Sequence, residues 1–88
     1  MKPRSILRLP SVRGRYQKSR ASLYDDIARG IFPKPVKFGG RCAGWPDDEV
    51  DAIINARIAG ADDDAIRRLV TKLHAARSAE RDSQDGDQ

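Results

Sequence analysis

Ser19, Arg20, Ser22 and Tyr24 bring four hydrogen-bonding side chains into six residues of an 88-residue chain. Serine is a preferred helix N-cap, so Ser19 places the other three in the first turns of a helix, where a helix entering a DNA groove meets phosphates and base edges. Arginine suits the O6/N7 edge of guanine, which makes Arg20 the candidate reader of a base. Ser22 and the small Ala21 suit a thymine methyl or a phosphate. Arg15 and Lys18 before this segment, and Lys37 and Arg41 after it, add charge whose natural use is salt-dependent phosphate contact. Tyr24 admits two roles, a core aromatic or a ring that packs while its hydroxyl reaches a phosphate.

The charge distribution agrees with a polyanionic partner. Net charge is +4, but residues 1–46 hold 11 Lys/Arg against 2 Asp/Glu, whereas residues 47–88 hold 6 against 11. The basic half is therefore the functional lead. A different class of role, a protein-interaction adaptor working through the acidic C-terminal half, would leave DNA affinity weak and sequence-blind. RNA is less favoured, because the only aromatics on offer as a stacking platform are Tyr16, Tyr24 and Trp45.

Other chemistries find little support. One cysteine, Cys42, and one histidine, His74, exclude an internal disulfide and a four-ligand Cys/His zinc site. Cys42 reads as a small residue on a strand and His74 as a partly exposed helix residue. The runs Asp47-Asp48-Glu49 and Asp62-Asp63-Asp64 each fall at a helix start, where carboxylates complement the dipole, which accounts for them without a metal. Neither a phosphate-cradling glycine loop nor a nucleophile elbow is present, so an enzyme is not expected, nor any cofactor. No apolar run approaches the ~20 residues of a transmembrane span, and the start MKPRSILRLP lacks a signal-peptide core, so a cytoplasmic home is expected.

The elements that must position the basic residues can be laid out in order. After the apolar opening Ile6, Leu7 and Leu9, Pro10 suits the first turn of a weak helix carrying Val12 and Tyr16. Gln17 and Lys18 connect it tightly to the Ser19 helix, in which Leu23 and Ile27 face inward and Arg20, Ser22, Tyr24 and Asp26 lie nearer the outer faces; Gly30 stops it. Two helices this close read as helix-turn-helix. Pro33 and Pro35 bar a further helix, Val36 and Phe38 alternate with Lys37 as a strand should, and Gly39-Gly40 signals a hairpin turn. Trp45 is expected to anchor the hairpin base against the helices. Pro46 then opens a third helix with Val50, Ile53, Ile54 and Ile58 on one face, ended by Gly60, and Ile66, Leu69, Val70 and Leu73 mark a last amphipathic helix.

The motifs LRLPSV, SRASLY, GIFPKPVKFGG and RCAGW, followed by an acidic helix with EVDAII, make the chain resemble the AlpA-type regulators of prophages and integrative elements over about Leu7 to Gly60. These belong to the MerR-like winged-helix group that includes excisionases. The resemblance implies a mainly α fold with a small β-hairpin wing, a winged helix-turn-helix over residues 1–60; beyond it the spacing and composition of the chain read as an amphipathic helix over 61–77 and a flexible polar tail over 78–88. The resemblance also implies a second helix in the major groove, carrying Ser19, Arg20, Ser22 and Tyr24, and a wing of Lys37, Gly39, Gly40 and Arg41 on the backbone or adjacent minor groove. Family members activate excision genes or bend attachment-site DNA as recombination directionality factors. One departure stands out: such proteins usually have a Thr-Gly-apolar turn where this chain has Tyr16-Gln17-Lys18.

A domain of this size contacts few bases, so self-association on repeated sites is expected, with Ile66, Leu69, Val70 and Leu73 as the contact stripe. Integrase or RNA polymerase would be the protein partners.

Overall fold

The computed structural model of the chain describes residues 5–39 and 42–86. Its elements are β1 (Ile6–Leu7), α1 (Leu9–Tyr16), α2 (Arg20–Ala28), β2 (Val36–Gly39), β3 (Cys42–Pro46), α3 (Asp47–Ile58) and α4 (Asp63–Gly86). The hairpin gains a third strand that the sequence does not announce. Ile6 and Leu7 pair antiparallel with Pro46 and Trp45, giving the strand order β1-β3-β2. Ser5 and Asp47 close that edge with two hydrogen bonds, of 2.8 and 3.1 Å. The N-terminal segment is thereby tied to the start of α3, and α1 leaves from a fixed point.

The helix-turn-helix is set by local chemistry. Pro10 occupies the first turn of α1, where its missing N–H costs nothing. Gln17 ends α1 in the left-handed region (φ 59°) and caps it twice: its N–H donates to the Arg13 carbonyl at 2.8 Å and its side-chain amide to the Gly14 carbonyl at 2.6 Å. Two residues later the Ser19 hydroxyl accepts the Ser22 N–H at 3.2 Å and α2 begins. At its far end Gly30 (φ 78°) lets the chain turn, with the Ile31 N–H donating to the Asp26 carbonyl at 3.0 Å, a Schellman closure.

The core gathers one or two side chains from each helix. Val12 of α1, Leu23 of α2, Val50 and Ile53 of α3, and Ile66 and Val70 of α4 are buried together with Ile31, Phe32 and Trp45. The aromatic rings form a short run: Tyr16 lies 4.9 Å from Phe32, which meets Trp45 edge-on at 6.2 Å. Trp45 satisfies its indole by donating to the Pro33 carbonyl at 2.9 Å, so the rigid proline segment and the hairpin base lock on one residue, as expected of that tryptophan.

Two inward and outward assignments are corrected. Asp26, expected near an outer face of α2, is buried. It follows Leu23 by three residues and so shares its face, and Lys18 neutralises it at 2.5 Å. Ile58, expected on the buried face of α3, is 78% exposed. At 3.6 residues per turn it stands roughly 140° around the helix from the buried Ile53.

α4 fastens these parts together and runs on to Gly86. Near its start Asp63 bridges Arg57 of α3 (3.0 Å) and Arg29 at the exit of α2 (3.3 Å), while the Arg67 guanidinium donates to the Arg29 carbonyl at 3.0 Å. The Arg57 hydrogen bond holds the Asp63 carboxyl below its ordinary pKa. Further along, Arg77 forks onto the buried Glu49 carboxylate (2.9 and 2.5 Å) and also donates to the Lys34 carbonyl at 2.9 Å. His74 Nε2 accepts the Lys34 N–H at 3.2 Å. The root of the hairpin is thus gripped through both backbone groups of Lys34.

Candidate nucleic-acid interface

Leu23 is buried on α2, while Arg20, Ala21, Ser22 and Tyr24 are exposed. Three of them, Arg20, Ala21 and Tyr24, line one shallow recess. The Arg20 guanidinium carbon lies 5.9 Å from the Tyr24 ring centroid, close enough for a cation–π contact that steadies the long side chain. Tyr24 is 42% exposed, so the ring stands at the surface and does not enter the core. Ser19 acts as the N-cap, its hydroxyl accepting the Ser22 N–H.

The other cations expected to bind phosphate divide into two sets. Lys37, on β2, is exposed, next to a bulge between Lys37 and Gly39, and Gly39 is exposed with φ 136°. Gly40 and Arg41 lie outside the described residues. Lys18 instead serves the turn itself: besides its bond to Asp26, its ammonium sits 5.3 Å from the Tyr16 ring centroid, and little more than a third of its side chain remains open to water. Arg15 pairs with Asp51 of α3 at 3.1 Å. Asp25 turns toward Arg29 at i+4, 4.0 Å away, which keeps that carboxylate engaged on the helix surface.

A residue with no assigned role in the sequence stands close by. Arg13, exposed on α1, lines a second recess with Pro10, Gly14, Gln17, Lys18 and Ser19 at the start of α2. Its position one turn before Gln17 was the available signal, since i and i+4 share a helix face. Of the stripe expected to meet a neighbour, Ile66 and Val70 are buried in the chain's own core, and Leu69 and Leu73 pack partly against it. Among the described residues no group of three or more His, Cys, Asp or Glu side chains could hold a metal ion, and no helix is long and apolar enough to cross a membrane.

The helix-turn-helix and the hairpin lie within the stretch that a family comparison matches. The family model described as prophage CP4-57 regulatory protein (AlpA) matches residues 5–58, which run from β1 to the end of α3. This chain belongs to the AlpA family. Its members are regulatory proteins that bind DNA through a helix-turn-helix. The chain is also 41% identical over 55 residues to a protein of Enterobacteria phage P4 called "Uncharacterized protein ORF88". The matched region covers 62% of each chain, under two thirds of that relative's length. No solved structure matches the chain. The AlpA match ends before α4, so Arg77 and His74 of the clamp on the hairpin root lie beyond the matched region and Lys34 and Glu49 within it.

Proposed function

We propose that this AlpA-family protein binds double-stranded DNA at specific sequences, with α2 in the major groove, as a regulator of a mobile genetic element. The observation that carries this is α2 itself, Ser19-capped three residues after α1, with Arg20, Ala21, Ser22 and Tyr24 exposed and Arg20, Ala21 and Tyr24 lining one recess. The wing residues Lys37 and Gly39, with Gly40 and Arg41, would touch the backbone or the adjacent minor groove. Arg13 beside the start of α2 would meet a phosphate flanking the groove. Acting on prophage or chromosomal DNA would keep the protein in the cytoplasm, at the nucleoid.

Within that role, two actions share the same binding: control of a promoter, and bending of attachment-site DNA during excision. Either would use several copies on repeated sites, because one α2 spans too few base pairs for high specificity. Leu69 and Leu73 are the part of the α4 stripe still available to a neighbouring copy. Integrase or RNA polymerase would then be the protein met on the DNA.

The test is selection of fragments from the native genome by the purified chain, followed by footprinting of those retained. A few fragments with regularly spaced protected sites are expected, near a promoter for regulation or arrayed along an attachment site for excision. Retention of fragments without sequence preference at physiological salt would refute the proposal.

A further inference from the structure

The recess on α2 has two chemically different walls. One is the Arg20 guanidinium; the other is carbon, from the Ala21 methyl and the Tyr24 ring. Arg20 has no carboxylate partner among the described residues, in contrast to five other arginines. Arg15, Arg29, Arg57, Arg67 and Arg77 are each ion-paired within 4.0 Å. What holds Arg20 is an aromatic face, which orients the planar fork and leaves its donors uncommitted.

We propose that this recess reads a two-base step: a guanine, and the C5-methyl group of the pyrimidine immediately 5′ to it. The inference rests on the duplex-DNA role proposed above and adds the identity of one step in the target. Guanine presents O6 and N7 in the major groove as a pair of acceptors that a guanidinium fork meets with two parallel hydrogen bonds. Thymine presents a C5-methyl group in the same groove, where cytosine has only hydrogen, so a carbon wall beside the fork distinguishes the two by burial of one methyl. Ala21 is small enough for the helix to approach, and Tyr24 serves both walls at once, stacking on Arg20 and extending the apolar surface. 5-Methylcytosine offers the same methyl group as thymine, so the chemistry recognised is a C5-methylated pyrimidine followed by guanine.

The experiment starts from a site selected by the full-length chain out of a random duplex pool, and then changes only the base analogue at the pyrimidine. Thymine is compared with deoxyuridine, and 5-methylcytosine with cytosine, each pair differing by one methyl. The selected site is expected to contain the step, and loss of the methyl is expected to weaken binding roughly fourfold, the worth of one buried carbon. Ala21→Gly should shrink the thymine–deoxyuridine difference, and because the analogue comparison uses the unaltered protein, a folding defect in that variant does not compromise the result. A methyl effect confined to thymine assigns the step to TpG, and one shared with cytosine assigns it to any C5-methylated pyrimidine. Equal affinity for thymine and deoxyuridine, or a selected site lacking the step, overturns the inference while leaving duplex reading intact. Failure to select any duplex overturns both.

Discussion

Replacing Arg77 by Met should destabilise the fold substantially, because it strips the buried Glu49 carboxylate of its guanidinium. Glu49 is 2% exposed, and Arg77 reaches it with two bonds, of 2.9 and 2.5 Å. Removing one partner of a buried ion pair costs about 3–5 kcal/mol, since the remaining charge stays out of water. Two features reduce that figure here: the Arg77 side chain is 23% exposed, and Glu49 has a further interaction of its own. About 2–3 kcal/mol remains, which for a domain of this size corresponds to roughly 10–20 °C in Tm. Arg77 also donates to the Lys34 carbonyl, so the same change loosens the hairpin root. Thermal and urea unfolding followed by circular dichroism, on Arg77→Met, Glu49→Gln and the double variant, measures both the loss and the coupling between the pair. A loss below about 0.5 kcal/mol for Arg77→Met, or near-additive single and double variants, would refute the clamp.

Other outcomes follow from local geometry. Gln17→Gly should change stability by less than about 1 kcal/mol in urea unfolding, because the ~1–2 kcal/mol relieved at φ 59° is opposed by the lost side-chain bond to Gly14 and the freer unfolded chain, each worth roughly 0.5–1 kcal/mol. Burial, with Arg77 and Lys34 nearby and Glu49 opposing them, lowers the His74 pKa from 6.5. As pH falls below about 6.5 the unfolded chain therefore takes up a proton before the folded one does, and stability declines until the folded pKa is passed. His74→Gln should flatten that part of the stability–pH curve. Lys37→Ala should weaken binding to all duplexes alike and reduce the slope of log K against log salt by about 0.9, the signature of one lost phosphate contact, measured by titration at several salt concentrations.

The helix-turn-helix was legible because its signals are local. Ser19 as cap, Gly30 as stop, the prolines that bar a helix between α2 and β2, and Trp45 as an apolar anchor each act within a few residues of where they stand. What stayed hidden depends on partners far along the chain. β1 is two residues long, too short for any alternation to register, and exists because β3 offers it an edge some forty residues later. Burial of Asp26 makes sense only once Lys18 is folded across it. Arg15 resembles a phosphate-binding residue until Asp51 is brought beside it, and Ile66 and Val70 resemble an interface until the core they complete is assembled. The stacking of Arg20 on Tyr24 across one helical turn likewise has no signature in the sequence.

The central claim is that the outward face of α2 reads bases. Its most direct test is the affinity of the wild type and Arg20→Ala for a selected site and for the three base-pair substitutions at each position in it. Arg20→Ala is expected to lose about 1–3 kcal/mol on the selected site and to bind all four base pairs at one position with nearly equal affinity, discrimination elsewhere being unchanged. A uniform loss across every substituted duplex, with discrimination preserved at all positions, would contradict it.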